Sequence, residues 1–309
     1  MPKPLFSVRV RVPASSANLG PGFDCLGIAL TLYDEWRVEG RAGEPSVRIA
    51  VDGADGIPTD GRNLAYQAFR KVFQIHNRPL PALRMDLKSR IPVAGGLGSS
   101  SAAIVGGLVS ANRALGDPMT RDQLLDIAAE FEGHPDNVAP ALFGGFCAAT
   151  YGEGKVQCVS WQSPALFRDL VAVVAIPYFE LKTEKARAVL PKNVSRLDAV
   201  FNTGRAALLV AALLSKRYDL LGEAMCDRLH EPYRQKLIPG FSTAITAAES
   251  AGAYGAALSG AGPTLLSLAP RSKTTAVGEA MVAAFRDATV PARSEILELD
   301  LRGARVTGF

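Results

Sequence analysis

Three glycines and three serines fall within the twelve residues PVAGGLGSSSAA, Pro92 to Ala103, directly ahead of the apolar run IVGGLVSANRAL. Glycine opens backbone dihedrals closed to other residues and lets the main chain come close to a ligand, while serines at a helix start offer hydroxyls and free N–H groups. The positive end of a helix dipole adds to these N–H groups, so an anion is the favoured occupant, and phosphate is the anion this pattern predicts. The stretch is not a Walker loop, because no Lys followed by Ser or Thr closes it. Nor is it a dinucleotide fingerprint, since GxGxxG spacing is absent.

Other polar residues sit where turns are expected. Asn18 and Asp24 lie in SANLGPGFD, a Gly/Pro-rich turn after an alternating run, where Asx side chains also serve as caps. His134, Asp136 and Asn137 follow Gly133 in EGHPDNVAP. Thr183 and Arg187 stand in KTEKAR, and Arg234 in HEPYR. A guanidinium fork matches a carboxylate bidentately, which a lysine does not. Asn63 precedes an amphipathic run and fits an N-cap. Ser259, Gly260, Ala261 and Gly262 form a second glycine-rich turn in ALSGAGPTLL.

The elements that must hold these residues are mixed. FSVRVRVPA alternates Phe6, Val8, Val10 and Val12 with polar residues, predicting an opening strand; DEWRVEG, SVRIAVDG and ALRMDLKS predict more. NLAYQAFRKVFQIHN predicts a helix burying Leu64, Ala68, Phe69, Val72 and Phe73. Thr120 and Gln123 make a capping box and Gly133 a stop, so a helix runs from about Arg121 to Glu132 with Leu124, Ile127, Ala128 and Phe131 inward. LVAVVAIP predicts a buried strand, and LDAVFNTGRAALLVAALLSK a helix too apolar to face water on most sides. YGAALSGAGPTLLSLAP, AVGEAMVAAFRD and EILELDL close the chain as strand, turn, strand, helix and strand. This order predicts an α+β fold in two lobes, 1–165 and 166–309, divided near SWQSPALFRD.

Composition excludes several classes. The chain has 309 residues, 48% hydrophobic and 21% charged, enough to bury a large core. Its 34 basic and 30 acidic residues leave +4 without a run of like charge, which argues against nucleic acid and membrane surfaces as partners. Cys25, Cys147, Cys158 and Cys226 are too dispersed for a metal knuckle or a disulfide framework, and a reducing cytoplasm is expected. MPKPLFSVRVRVPAS has no apolar stretch of signal length, and no later run approaches 18 apolar residues, so no targeting or membrane-spanning segment is expected.

PVAGGLGSSSAA resembles the phosphate-binding motif of the GHMP kinases, with PASSANLGPGFD and LSGAGPTLLSL resembling that family's first and third motifs in the same order. SANLGPGFDCLGIAL, GHPDNVAPALFGGF, TEKAR and HEPYRQKLIP together resemble its homoserine kinase branch. The resemblance implies an N-terminal lobe with a left-handed βαβ unit, a ferredoxin-like C-terminal lobe, and a site between them that transfers phosphate from ATP to the homoserine hydroxyl for threonine biosynthesis. It implies that Pro92, Val93, Ala94, Gly95, Gly96, Leu97, Gly98, Ser99, Ser100, Ser101 and Ala102 cradle ATP, backed by Ser259, Gly260 and Gly262, with Asn63 on the adenine side.

The same resemblance places Asn18 and Asp24 on the substrate ammonium, Thr183, Arg187 and Arg234 on its carboxylate, and His134, Asp136 and Asn137 around homoserine. Asn137 is expected to orient the hydroxyl, and Asp136 either positions substrate or acts as base. Mg²⁺ is expected on Ser100 and a glutamate. At about 100° per residue, Glu132 lies near the inward face of its helix and Glu130 points away, which favours Glu132. Family members tend to be dimers, so a homodimer is the expected assembly.

Overall fold

In the computed structural model, which describes residues 4–308, the alternation of the opening segment becomes strand β1 (Phe6–Asn18), with Val8, Val10 and Val12 almost fully buried. Met1 to Lys3 of the opening segment and Phe309, where the expected second lobe ends, lie outside the described residues. β1 pairs antiparallel with the long β2 (Gly22–Arg41), and β3 (Ser46–Asp52), α1 (Leu64–Ile75) and β4 (Ala82–Lys88) form a parallel crossover at the sheet edge. α1 buries Ala65, Ala68, Phe69, Val72 and Phe73. Leu64 departs from the expectation: it is 37% exposed because Asn63 caps the helix just before it and turns this first residue toward the cavity described below.

α2 (Ser99–Ala114) follows the glycine loop and is buried on most sides. Its Gly106 and Gly107 explain the close packing: a Cβ on Gly106 would meet the Trp36 ring at 2.6 Å, and one on Gly107 the Ala65 carbonyl oxygen at 2.1 Å. α3 (Arg121–Glu132) begins with the Thr120/Gln123 capping box and ends at Gly133, φ +85°, as its sequence predicts. α4 (Val138–Phe143), β5 (Phe146–Gly152) and β6 (Lys155–Trp161) complete the first half, and β11 (Arg305–Gly308) returns to pair with β1, giving a seven-stranded sheet.

Past α5 (Pro164–Phe167), β7 (Leu170–Pro177), β8 (Gly255–Leu258), β9 (Leu265–Pro270) and β10 (Ala292–Leu297) form a four-stranded antiparallel sheet in the order β10-β7-β9-β8. That is the 4-1-3-2 order of a ferredoxin-like sheet. α10 (Phe241–Ser250) and α11 (Thr274–Asp287) cover one face. β7 is buried on both sides: Val173 and Ala175 enter the core under these helices, while Ala172, Val174 and Ile176 join the core of the first half. Shared burial of this kind explains why its sequence is apolar throughout.

α6 (Thr183–Ala188), α7 (Arg196–Ser215), α8 (Leu221–Ala224) and α9 (Glu231–Arg234) lie between β7 and β8. α7 overturns its expected burial. Only Asn202, Leu209, Ala212 and Leu213 are buried, and Leu197 is 79% exposed. The docked side is held by polar groups, Asn202 donating to Asp227 at 2.7 Å and Arg205 pairing with Glu223 at 2.7 Å, so apolar residues are left outside. By length and composition this 20-residue helix is also long and apolar enough to cross a membrane, although its sequence lacks an unbroken apolar run. Paired Asn202 and Arg205 at its middle are groups a lipid-exposed span does not carry at low cost.

Candidate active site

The glycine loop lies in a cavity of about 440 Å³ between the two sheets. Val93, Ala94, Gly95, Gly96, Gly98, Ser99 and Ser100 line it; Pro92, Leu97, Ser101 and Ala102 do not, Leu97, Ser101 and Ala102 being fully buried beneath it. The loop is fastened from behind: Ser15 N–H donates to the Leu97 carbonyl at 3.1 Å, Thr264 N–H to Gly95 at 3.3 Å and Leu181 N–H to Ala94 at 3.2 Å. Ser259, buried outside the cavity, donates its hydroxyl to the Gly96 carbonyl at 2.6 Å, and Gly260, Ala261 and Gly262 form the facing wall. The glycines answer to this fastening more directly than to a ligand. Gly98 has φ +74°, and a Cβ there would meet Ser15 Oγ at 2.1 Å.

At the head of α2, Ser100 Oγ donates to Glu132 Oε1 at 2.7 Å. Glu132 Oε2 is buried without a partner among the described residues, while Glu130 points outward and pairs with Lys71 at 3.1 Å. Burial pushes the Glu132 carboxyl above its ordinary range, with the Ser100 hydroxyl and His134 pulling it back and Asp136 pushing further. A buried acidic oxygen with an open lone pair beside a hydroxyl is a donor set suited to a hard cation such as Mg²⁺.

The turn from Gly133 brings His134 Nδ1 into a short hydrogen bond with Asp136 Oδ1. Burial alone would lower the His134 imidazole, but that bond and the charges of Asp136, Glu132 and Asp24 raise it on balance. Asp24, His134 and Asp136 each offer a ligand atom, all within 4.8 Å of one another, so three acceptor-capable groups face one small volume. Asn137 Oδ1 accepts from Ser15 Oγ at 2.9 Å, which leaves its amide N–H groups for the cavity that it lines.

The expected zwitterion contacts are brought together, with one difference. Arg187 forks onto Asp24, NH2 to Oδ1 at 2.6 Å and NH1 to Oδ2 at 3.1 Å, so each holds the other's charge. Asn18 holds this turn, accepting from the Asp24 N–H at 3.0 Å and donating to the Gly260 carbonyl at 3.0 Å, with φ +58° at Asp24 itself. Arg234 is 1% exposed and donates to the Ala186 and Gly260 carbonyls at 3.2 and 3.1 Å. Burial, then the Arg187 charge, brings its pKa down to about 10. Thr183 lies at the exposed rim.

Asn63 also lines the cavity, but its amide is committed: Oδ1 accepts from the Ala65 and Tyr66 N–H groups, and Nδ2 donates to Pro58 at 2.8 Å. Beyond it lies an apolar end where Val93, already expected to cradle ATP, is joined by Trp36, Ile57, Leu64 and Leu87, which sequence reasoning missed. These residues come from separate elements and read singly as core, so no local signal marks them. His230, Phe23 and Ser15 were missed for the same reason.

Behind the site, Glu231 accepts from the Leu258 N–H at 2.6 Å. Burial, with the Asp227 charge, pushes its pKa up to about 8 despite that bond and Arg234. A carboxyl raised in the fold from 4.5 to about 8 favours folding below pH 4.5, and this advantage is lost as pH rises to 8. Glu231→Gln keeps an oxygen for Leu258 and is expected to stabilise the protein by about 2–4 kcal/mol at pH 8.5, with the gain vanishing near pH 4.5. Urea unfolding at the two pH values checks this; a gain that is largest in acid would contradict the sign.

Two family models match the chain, the GHMP kinases N terminal domain over residues 63–145 and the GHMP kinases C terminal domain over 209–287. The homoserine kinase of Trichormus variabilis is 48% identical over 302 residues, covering 96% of this chain and 98% of that protein. That of Desulfitobacterium hafniense is 46% identical over 97% of this chain and 99% of its own length. Among solved structures, homoserine kinase from Cytophaga hutchinsonii superimposes with a TM-score of 0.89 at 33% identity, each chain 97% covered. Mevalonate diphosphate decarboxylase from Staphylococcus aureus, TM-score 0.71 at 16% identity, shares the fold. With both domain models matched and identity near half along almost the whole length, the chain belongs to the homoserine kinases of the GHMP kinase family.

Proposed function

We propose that this chain transfers the γ-phosphoryl group of ATP to the side-chain hydroxyl of L-homoserine, giving O-phospho-L-homoserine for threonine biosynthesis. The observation that carries the reading is the pairing of Asp24 with Arg187, beside a buried Arg234, in the cavity that holds the glycine loop. Opposite charges set side by side suit a zwitterion, whose ammonium takes Asp24 and whose carboxylate takes the guanidinium. An uncharged alcohol would break this ion pair and replace neither half. The apolar end beyond Asn63 suits the nucleobase, and the N–H groups at the head of α2 suit the phosphates.

Phosphoryl transfer needs in-line placement and charge neutralisation more than covalent chemistry. Asn137, its oxygen occupied by Ser15, offers an N–H donor to the hydroxyl oxygen and so orients it without taking its proton. Asp136 is tied to His134 through one oxygen, which supports a positioning role, with the proton passing to the phosphate. Ser100 and Glu132 would hold Mg²⁺; when bound, this ion neutralises phosphate charge as it develops.

Our reading divides the chain near residue 165 and places it in the cytoplasm, without nucleic acid or membrane as partner. The outward Leu197 and Val200 of α7 support a homodimer, and a one-chain mass by light scattering at micromolar concentration would contradict that. The test of function is mass detection of O-phosphohomoserine from ATP, Mg²⁺ and L-homoserine. Absence of product with the folded protein overturns the reading.

A further inference from the structure

His230 lies 0% exposed at the start of α9, one turn ahead of Arg234 and stacked on Phe23 with ring centroids 5.1 Å apart. Its Nε2 is 2.8 Å from the Gly20 carbonyl oxygen, and its Nδ1 is 3.3 Å from Arg234 NH1. A carbonyl can only accept a hydrogen bond and a guanidinium can only donate one. The two partners therefore define the imidazole completely: Nε2 carries the proton and Nδ1 presents a lone pair. An imidazolium would aim an N–H at a guanidinium. Burial holds His230 toward the neutral form and the Arg234 charge acts with it, while Asp227, with Oδ2 3.8 Å from Nε2, and Asp24 act against.

Both ends of this bridge belong to the substrate site. Gly20 sits in the turn that presents Asp24, and its backbone is held close: with φ +82°, a Cβ there would meet the Met225 carbonyl oxygen at 1.9 Å. Arg234 uses Nε on Ala186 and NH1 on Gly260 and His230, which leaves NH2 without a partner among the described residues on a side chain that lines the cavity. We infer that His230 is a positioning residue: its Nδ1 holds Arg234 NH1 so that NH2 faces the substrate carboxylate, and its Nε2–H ties that aim to the Asp24 turn. This rests on reading Arg234 as the carboxylate contact.

The test exploits which atom each amide can replace. Asn at 230 reaches where Nδ1 lies and can accept from Arg234; Gln reaches where Nε2 lies and can only restore the Gly20 bond. In the full-length enzyme, His230→Asn is expected to keep the homoserine KM within about threefold, whereas His230→Gln raises it about tenfold or more with the ATP KM little changed. A purely structural histidine would rank the two by melting temperature instead. The reverse ranking overturns the proposal, as does an equal effect of both on homoserine. Only three histidines occur in the chain, so ¹⁵N-labelled imidazole spectra read the tautomer directly, with the Nε2–H form expected for His230 at pH 7 and a protonated or Nδ1–H ring overturning it. If Arg234→Lys leaves the homoserine KM unchanged, the carboxylate reading itself fails, whatever tautomer the spectra show.

Discussion

Glu132→Gln is expected to lower kcat by about 10²–10³ and weaken the apparent Mg²⁺ affinity at least about tenfold, while the protein becomes more stable. The two effects have one cause. The Glu132 carboxyl is buried with Oε2 unpartnered, so the folded chain bears a desolvation cost that the Ser100 hydroxyl and His134 offset only in part and that a bound cation would relieve. Glutamine keeps the shape and an oxygen for Ser100 but removes the charge. Because burial raises the carboxyl, wild-type protein loses stability as pH climbs past the ordinary carboxylate range; the glutamine variant does not, and the gap between them should widen with pH. Glu130→Gln, which removes only an exposed pairing with Lys71, should change neither quantity appreciably. Metal titrations of both variants and urea melts at pH 4.5 and 8 decide the matter. Unaltered Mg²⁺ dependence in Glu132→Gln, or impaired dependence in Glu130→Gln, would move the metal to another ligand.

What was legible in the sequence was what short-range chemistry dictates. Thr120, Gln123 and Gly133 delimit α3 to the residue because capping uses side chains only three positions apart and a stop needs one left-handed glycine. The alternation of Val8, Val10 and Val12 reads correctly because one face of β1 is buried along its length. α7 misled for a physical reason: hydropathy counts apolar side chains, but Asn202 and Arg205 supply the specific bonds that choose which face docks. The glycine loop was legible as a loop, yet the reason for Gly96 and Gly98 lies in contacts to Ser259 and Ser15, far away in sequence. His230 is the extreme case, since its partner Gly20 is 210 residues distant and nothing near HEPYR signals it.

Arg234→Leu is expected to raise the homoserine KM by the equivalent of about 2–4 kcal/mol, the range for leaving a carboxylate without its charge-assisted partner. The sequence alone suggests that ATP binding would barely move. The structure qualifies this, because Arg234 also donates to the Gly260 carbonyl, which Asn18 shares, in the turn that faces the glycine loop. A smaller rise in the ATP KM, about two- to fivefold, should therefore accompany the main effect, together with lost stability from the undonated Ala186 carbonyl, Gly260 keeping its bond from Asn18. Homoserine amide separates the two contributions. For wild type it should bind far worse than homoserine, and in Arg234→Leu much of that difference should disappear, since the same interaction is then absent from both complexes. Arg234→Lys should recover part of the stability and little of the homoserine affinity, because a single ammonium cannot span Ala186, His230, Gly260 and a carboxylate as the guanidinium does. If Arg234→Leu instead raised the ATP KM more than the homoserine KM, and the amide stayed equally disfavoured, Arg234 would belong to the nucleotide side of the cavity and Arg187 alone would meet the carboxylate.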